Sequence, residues 1–272
     1  MRLHGRVLAV AGSDSGGGAG IQADIKTATA LGAYALTAIT ALTAQDTTGV
    51  RAVHPVPPDF VRLQIEMALA DPGADAIKTG MLADAACIDA VADALDGCTL
   101  PLVVDPVMVA KGGADLLAKN AVARLVARLL PRATLFTPNL VEAAVLTGAP
   151  VDDLPAMHRA AATLRGLGAR AVLLKGGHLP GDEVTDLLIT DAGIEAFSAP
   201  RIPGRHTHGT GCTLATAIAA GLAQGMGLRD AVLRARLYVR AAIETAPGIG
   251  VGHGPLNHAA LIDTRVPPAA PA

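Results

Sequence analysis

The sequence predicts an α/β protein with a mostly parallel central sheet covered by helices on both faces. Short apolar segments with β-branched residues alternate along the chain with longer segments of helical periodicity, which is the pattern of such sheets. Hydrophobic residues make up 51% of the 272 residues but aromatic residues only 2%. A core of Ala, Val, Leu and Ile suits helices packed closely on a sheet. Because no linker-like segment interrupts the interior, we expect a single domain.

The N-terminal third supplies the first strands and helices. Residues 6–12 form a strand, and residues 19–33 form a helix that ends at Gly32. Residues 34–45 are β-branched enough for a strand, although their alanines leave a helix possible. A helix near residues 58–70 then follows the proline-rich segment "PVPPDF".

The middle of the chain continues the alternation. A strand at 74–81 precedes a helix near 84–95, and 100–107 holds the clearest buried strand of the chain. Further strands are expected at 133–139 and 169–177, each followed by a helix or a turn.

The last part of the chain combines a hairpin with two helices. Residues 184–200 are predicted to form a hairpin that turns at Asp191, Ala192 and Gly193. Two closing helices are expected at roughly 210–225 and 229–245. We therefore predict one domain over residues 1–263, and a disordered tail over residues 264–272.

Composition argues against two classes of partner. The formal net charge is -2 and tryptophan is absent, so a basic groove with stacking platforms for nucleic acid is not expected. No apolar run approaches the ~18 residues of a membrane span, and the N-terminal apolar run is too short for a signal peptide. Three cysteines without CxxC spacing leave one unpaired, which predicts a reducing, cytoplasmic location.

Each of five predicted strands ends in a short polar or glycine-rich segment: "GSDSGGGAG", "KTGM", "DPVM", "TPNLVE" and "KGGH". Ligands of open parallel sheets bind beyond the carboxyl ends of the strands. The five segments are therefore predicted to converge on one site. The first of them, residues 12–20, has five glycines in nine residues, more than a turn requires, and can cradle an anion on backbone N–H groups.

Four polar residues in the other segments allow both structural and functional interpretations. Asn139 and Glu142 have the spacing of a helix capping box, and equally that of a phosphate contact and a Mg²⁺ ligand. Asp105 ends an apolar strand and needs a partner, for which Lys175 is the matching cation. Together Asp105 and Lys175 suit a metal–triphosphate site better than a salt bridge.

Cys212 lies at the start of a predicted helix, after a Gly-Thr-Gly turn. His206, His208 and Cys212 could suggest zinc, but the intervening turn is better shaped to present amides to an anion. Cys212 itself could be a buried small hydrophobic residue. We favour a catalytic thiol, because a helix N-terminus lowers the pKa of a cysteine and makes it a better base.

Seven ordered motifs resemble the hydroxymethylpyrimidine/phosphomethylpyrimidine kinases of thiamine biosynthesis, which have a ribokinase-like fold. They are "AGSDSGGGAGIQADIKT", "GAYALTAITALTAQDT", "KTGML", "VVDPVM", "TPNLVEA", "LLKGGH" and "HTHGTGCTLATAIAA", and the resemblance runs from about residue 6 to 258. It implies two ATP-dependent phosphorylations, first of the hydroxymethyl group of 4-amino-5-hydroxymethyl-2-methylpyrimidine and then of the monophosphate. Where most ribokinase-like sugar kinases carry an Asp base, this branch carries Cys.

The resemblance also implies roles for individual residues, with ATP and Mg²⁺ as cofactors. Those roles are substrate binding by Gly12, Asp24, Gln45 and Val107; Mg²⁺ binding by Asp105 and Glu142; ATP phosphate binding by Asn139 and Lys175; an anion hole at Gly209, Thr210 and Gly211; and Cys212 as base. Ser15 stands where many relatives have Pro, which is expected to loosen the first loop. The resemblance further implies a homodimer.

Two alternatives remain open from the sequence. A pyridoxal kinase can share the Gly-Thr-Gly-Cys motif, and turnover of the two alcohols separates the two enzymes. A non-catalytic pyrimidine-binding protein would lack the base, a metal ligand or the phosphate-binding Lys, whereas all of them are present here. A thiol redox protein is disfavoured because no second cysteine stands near Cys212.

Overall fold

The computed structural model describes residues 4–108, 116–118 and 120–262. Strands and helices alternate along most of this length. In chain order the elements are β1 (Arg6–Asp14), α1 (Gly20–Ala30), β2 (Tyr34–Asp46), β3 (Gly49–Pro55), α2 (Pro58–Ala70), β4 (Ala76–Thr79), α3 (Ala85–Ala94), β5 (Leu102–Val104), α4 (Ala121–Arg128), β6 (Leu135–Phe136), α5 (Leu140–Thr147), α6 (Leu154–Gly166), β7 (Val172–Leu174), β8 (Glu183–Thr190), β9 (Gly193–Pro200), α7 (Thr210–Ala223) and α8 (Leu228–Glu244).

All nine strands form one sheet in the order β3-β2-β1-β4-β5-β6-β7-β8-β9. The six strands from β2 to β7 in this order pair in parallel, and β3, β8 and β9 are added antiparallel at the two sides. After β1 the chain first builds β2 on one side and later β4 on the other. The gap between β1 and β4 is therefore the switch point of the sheet, beyond which ligands of α/β proteins bind.

Helices cover both faces of the sheet, as predicted. One core cluster joins the sheet to α2, α3, α4, α5 and α6, and the other joins it to α1, α7 and α8. Small side chains bring these helices close together: a Cβ added at Gly221 of α7 would lie 2.8 Å from the Cβ of Ala231 on α8. The aliphatic, aromatic-poor composition thus supports the close packing expected from it.

The described elements confirm most of the sequence predictions. Residues 34–46 are a strand and not a helix, and the hairpin turns between Thr190 and Gly193. Three of these elements were not predicted: β3, whose residues are mostly exposed and therefore lack a buried apolar pattern, and the helices α4 and α6. The predicted domain end at 263 and the tail 264–272 lie outside the described residues.

Candidate active site

The polar segments that follow β1, β4, β5, β6 and β7 lie at one edge of the sheet, as predicted. The backbones of Asn139 and Lys175 form a parallel bridge, which joins the ends of β6 and β7. The Lys175 Nζ lies 2.8 Å from Asp105 Oδ1 at the end of β5. Parallel pairing of the five strands is what brings these side chains together.

The glycine-rich loop after β1 folds around the carboxylate of Asp14. Backbone N–H groups of Gly16, Gly18 and Ala19 donate hydrogen bonds of 2.8–3.0 Å to its two oxygens, and His208 Nε2 lies 2.9 Å away. Burial raises the pKa of Asp14, but the hydrogen bonds from His208 and the loop amides outweigh it and lower the pKa overall. The sequence analysis passed over Asp14, although it is the one acidic residue in the loop.

Helix α7 starts against this loop, and its N-terminus lacks a side-chain cap among the described residues. Its N-cap is Gly209, with φ of 85°. A Cβ on Gly209 would lie 1.8 Å from the carbonyl oxygen of Gly18, so the two loops touch backbone to backbone. The Thr210 N–H makes only a long hydrogen bond of 3.4 Å to the Thr207 carbonyl. A helix N-terminus without a side-chain cap is suited to an anion, and the anion hole expected here stays a prediction.

Cys212, in the first turn of α7, has a pKa opposite to the one predicted. Burial raises its pKa to about 11, and the carboxylates of Asp24 and Asp105 add to the increase. The positive charge of Lys78 and a hydrogen bond from the Gly20 backbone lower the pKa by less. The prediction of a lowered pKa was wrong, because burial of the thiol, which the local sequence does not reveal, is the largest contribution to its pKa.

Beneath Cys212 lies a fully buried ion pair that the sequence analysis missed. The Nζ of Lys78 is 2.9 Å from both oxygens of Asp24, and the hydroxyl of Thr216 donates to Asp24 Oδ1 at 2.6 Å. Neither charged side chain has exposed surface. Gly80 makes room for this lysine, since a Cβ there would be 2.9 Å from Nζ. The signal was the Lys in the otherwise apolar strand "AIKT".

This pairing bears on the expected role of Asp24. Both of its oxygens already accept hydrogen bonds within the protein. With these contacts, Asp24 presents no free edge to a ligand. The structure places it behind the site, between α1 and α7.

Asp105 and Lys175 form a salt bridge. Their sequence positions had favoured a metal–triphosphate site over such a salt bridge. Asp105 is buried and Lys175 nearly so, and a Cβ added at Gly211 would lie 3.3 Å from both Asp105 Oδ2 and Lys175 Nζ. The ion pair therefore lies against the first turn of α7. The two interpretations are compatible, because the pair stands where an anion bound to the α7 amides would meet it.

Glu142 and Asn139 make the predicted capping box on α5. The Glu142 N–H donates to Asn139 Oδ1 at 2.9 Å, and the Asn139 N–H donates to Glu142 Oε2 at 2.7 Å. Burial raises the pKa of Glu142; Lys175 opposes this increase and Asp105 adds to it. Glu142 and Asp105 are thus two buried carboxylates that share one lysine, a donor set that suits a hard cation such as Mg²⁺.

Gly12 and Gln45, both expected at the substrate, lie at the first loop together with Ser15, and Val107 follows β5. Gly12 is buried against Met81 and Gly20, and Val107 is half-buried after β5. The Ser15 hydroxyl donates to the Gln45 carbonyl at 2.9 Å and accepts from the Gln45 N–H at 2.8 Å. Ser15 therefore ties the first loop to β2, and the looser loop expected from Ser in place of Pro stays a prediction.

The C-terminal segment closes over α7 through His258. Its Nε2 lies 3.0 Å from the hydroxyl of Thr213, and its carbonyl accepts from the Tyr238 hydroxyl at 2.7 Å. Burial lowers the pKa of His258 from 6.5 to about 4, with a smaller contribution from Lys26. The neutral imidazole is thus part of the folded structure beside the site.

Acid is expected to destabilise the protein through His258. Because its pKa is lower in the folded state, its contribution is present above pH 6.5 and lost as pH falls towards 4. Between pH 7 and pH 5 the loss amounts to about 2 kcal/mol. Urea unfolding at both pH values measures it: His258→Gln should show a smaller difference, whereas the exposed His253→Gln should match wild type. Equal pH dependence in all three proteins would contradict the role of His258.

Neither a metal-ligating cluster nor a membrane-spanning helix occurs among the described residues. Within those ranges no three His, Cys, Asp or Glu side chains gather as metal ligands would. Among the same residues no helix is both long and apolar enough to cross a membrane.

Comparison with known proteins identifies relatives over most of this chain. The family model described as phosphomethylpyrimidine kinase matches residues 14–257. The hydroxymethylpyrimidine/phosphomethylpyrimidine kinase of Streptomyces coelicolor is 51% identical over 93% of each chain. The thiamine biosynthesis bifunctional protein ThiED of Geobacter sulfurreducens is 54% identical over 94% of this chain, which spans only 52% of that longer protein.

Solved structures show the same fold. The pyridoxal kinase of Bacillus subtilis superimposes with a TM-score of 0.89 at 36% identity, over 95% of this chain and 98% of that one. The phosphomethylpyrimidine kinase of Clostridium difficile gives 0.77 at 38% identity, over 88% and 99%. Both the match over most of the chain and the identities to full-length relatives identify this protein as a member of the phosphomethylpyrimidine kinase family.

Proposed function

We propose that this protein uses ATP to phosphorylate 4-amino-5-hydroxymethyl-2-methylpyrimidine and then its monophosphate, in thiamine biosynthesis. The observation that carries the proposal is the uncapped N-terminus of α7 lying against the Asp105–Lys175 pair, with Cys212 in the same turn. Amides, a lysine and acidic side chains are the groups that phosphoryl transfer requires. Relatives with nearly the same length carry the corresponding name.

The site divides into a pyrimidine subsite and a phosphate subsite. Gly12, Gln45 and Val107 line the pyrimidine subsite, and Asp24 supports it from behind through Lys78. Asn139 and Lys175 bind ATP phosphates. The amides of Gly209, Thr210 and Gly211 bind the γ-phosphoryl group as it is transferred. A pyridoxal kinase of Staphylococcus aureus has been solved with AMP-PCP and pyridoxal, which supports a nucleotide beside a ring-bearing alcohol on this fold.

Cys212 is the proposed base. The attacking hydroxyl loses its proton as its oxygen bonds to the γ-phosphorus, and the bond from phosphorus to the ADP oxygen breaks. The proton passes to the thiolate of Cys212, while the α7 amides hold the charge on the phosphoryl oxygens. For the second reaction, the phosphate oxygen of the monophosphate takes the place of the hydroxyl.

Mg²⁺ completes the proposed site, held by Asp105 and Glu142. The ion would neutralise charge on the phosphate oxygens of ATP. Its binding would also remove the electrostatic cost of two buried carboxylates that share Lys175.

Glu142→Gln separates the two roles of this residue. Glutamine also fits a capping box, so thermal stability should barely change while kcat/KM falls and the Mg²⁺ concentration needed for half-maximal rate rises. Mg²⁺ titrations of both proteins measure this. Asn139→Ala, which removes the cap acceptor, should by contrast lower stability. Unchanged kinetics in the Gln variant would leave Glu142 as a cap alone.

The product trace with MgATP tests the proposed function. We expect the pyrimidine alcohol to give the monophosphate and then the diphosphate, and kcat/KM to be lower for pyridoxal. Pyridoxal kinase remains the second candidate, because a pyridoxal kinase superimposes on this chain with a TM-score of 0.89. A trace that stops at the monophosphate, or turnover of pyridoxal alone, would reject the bifunctional assignment. Absence of any turnover would favour a pyrimidine-binding protein.

A cytoplasmic homodimer is part of the proposal. Large apolar side chains are exposed on β2, β3 and α2, namely Leu42, Val53, Phe60, Leu63 and Met67. Such an exposed group is typical of an interface with another copy. Light scattering should give twice the monomer mass, and Phe60→Glu should reduce it.

The free thiols of Cys87, Cys98 and Cys212 suit the reducing cytoplasm.

A further inference from the structure

Asp14, His208 and Gln45 form a chain of polar contacts beside the pyrimidine subsite. His208 Nε2 lies 2.9 Å from Asp14 Oδ2 and 3.1 Å from the side-chain Nε2 of Gln45. His208 is held in place at both ends. Its backbone N–H donates to the Gly254 carbonyl, and its imidazole packs so closely on Gly18 that a Cβ there would lie 2.6 Å from Cδ2. Proton transfer to Cys212 uses none of these contacts.

The Asp14 contact determines where the imidazole carries its hydrogen. Asp14 also accepts from three backbone N–H groups and has a lowered pKa, so it is a carboxylate and an acceptor only. The contact at 2.9 Å therefore requires a hydrogen on Nε2 of His208. This holds for the neutral tautomer and for the imidazolium.

This hydrogen restricts the Gln45 carboxamide. With the amide nitrogen of Gln45 facing His208, two N–H donors would stand 3.1 Å apart. Amide oxygen and nitrogen have nearly the same shape and are assigned from their hydrogen-bond partners. Turning the carboxamide over places Oε1 at this position, where it removes the clash of two donors and shares the single Nε2 hydrogen of His208 with Asp14 in a three-centre hydrogen bond.

The other side of the carboxamide gives the same orientation independently. The Thr43 hydroxyl donates to the Ser13 carbonyl at 3.0 Å, so its single hydrogen is used, and its oxygen lies 3.2 Å from the far atom of the Gln45 amide. Only an N–H can pair with that oxygen. The turned-over carboxamide places Nε2 there as a donor to Thr43, while Oε1 shares the His208 hydrogen with Asp14.

We propose that His208, held by Asp14, and Thr43 are positioning residues for the side chain of Gln45. They fix its carboxamide with Oε1 towards His208 and Nε2 towards Thr43. The fixed carboxamide thereby selects the 4-aminopyrimidine ring. Ser15 holds the backbone of the same glutamine through both its N–H and its carbonyl. Separate contacts thus fix the backbone of Gln45 and its side-chain carboxamide.

The selectivity follows from the pattern of donors and acceptors on the ring, and this part rests on the proposed function. A 4-aminopyrimidine offers a donor at the amino group and an acceptor at N3. Its 4-oxo analogue offers the reverse, an acceptor at the oxygen and a donor at N3. A glutamine amide can match either pattern by turning over. Because His208 and Thr43 prevent this, one pattern is excluded, and sites built around such hydrogen bonds discriminate strongly.

Neutron diffraction on crystals of the perdeuterated, ligand-free enzyme tests the orientation directly. We expect a deuteron on Nε2 of His208 and the ND₂ group of Gln45 facing Thr43. An ND₂ group facing His208 would overturn the proposal. This measurement does not depend on activity, so it stands whether or not the proposed function is correct.

Kinetics with the 4-amino substrate and its 4-oxo analogue test the selectivity. The ratio of their kcat/KM values should exceed ~100 in wild type and fall at least tenfold in His208→Ala and in Thr43→Val. Ser15→Ala is the matched control, because it loosens the Gln45 backbone without affecting the amide polarity. It should change both kcat/KM values together and keep the ratio. An unchanged ratio in both His208→Ala and Thr43→Val would overturn the proposal.

Discussion

Cys212→Ala should turn over at least ~100-fold more slowly than wild type while binding both ligands nearly normally, since general-base catalysis contributes ~10²–10⁴-fold. The lower end of this range is expected, because a loose, metaphosphate-like transition state asks little of a base. Serine, too weak a base despite its similar size, should resemble alanine. Single-turnover rates together with ligand titrations measure both effects. An alanine variant with nearly wild-type kcat would refute the base role and leave catalysis to the amides of the Gly-Thr-Gly turn.

The pH dependence gives this prediction a second readout. With a thiol pKa of about 11, the thiolate fraction rises about tenfold per pH unit below that value. Between pH 7 and pH 9 both kcat and the rate of inactivation by an alkylating agent should rise accordingly, and bound substrate should protect. Cys212→Asp should recover part of the rate and flatten the kcat profile, because an aspartate is already ionised in this range. A flat profile in wild type would show that the thiolate is not the limiting species.

Lys78→Met should lower the free energy of unfolding by about 3–5 kcal/mol, because it leaves the buried carboxylate of Asp24 without its partner. Both side chains have no exposed surface, so water cannot replace the lost ion pair. Burial raises the pKa of Asp24, and the loss of Lys78 would raise it further. The defect should therefore shrink as pH falls and the orphaned carboxyl takes up a proton.

The double variant Lys78→Met/Asp24→Asn is the control for this prediction. It removes both charges and keeps an acceptor for the Thr216 hydroxyl, so it should recover most of the lost stability. Urea unfolding of the two single variants and the double variant gives the coupling energy between the two positions. If the double variant is no more stable than Lys78→Met, the loss comes from packing and not from the unpaired charge.

The fold was predictable because its signals are local. Apolar runs such as residues 102–104 and the glycine at position 32 identify strands and helix ends wherever they occur. The strand β3 was not predictable in this way, since its exposed sequence "GVRAVHP" carries no buried face. It forms by pairing antiparallel with β2, and such pairing depends on the neighbouring strand.

The site was predictable in its location and less so in its electrostatics. Strand-end segments identified Asp105, Asn139 and Lys175, because parallel strands bring their carboxyl ends together. The pKa of Cys212 depends on its burial, and then on Lys78, Asp24 and Asp105, which are distant in sequence. The same is true of the contact between Asp14 and His208, which are separated by 194 positions. Such pairs become visible only once the chain is folded.

The contact between Gly209 and Gly18 makes the distance between the two subsites a property of the backbone. A Cβ at Gly209 would overlap the Gly18 carbonyl, so at this contact no side chain lies between the first loop, proposed to face the ring, and the Gly-Thr-Gly turn, proposed to face the phosphate. Redesign of this enzyme for a larger alcohol would have to alter both loops at once, because displacing one of them carries the other with it.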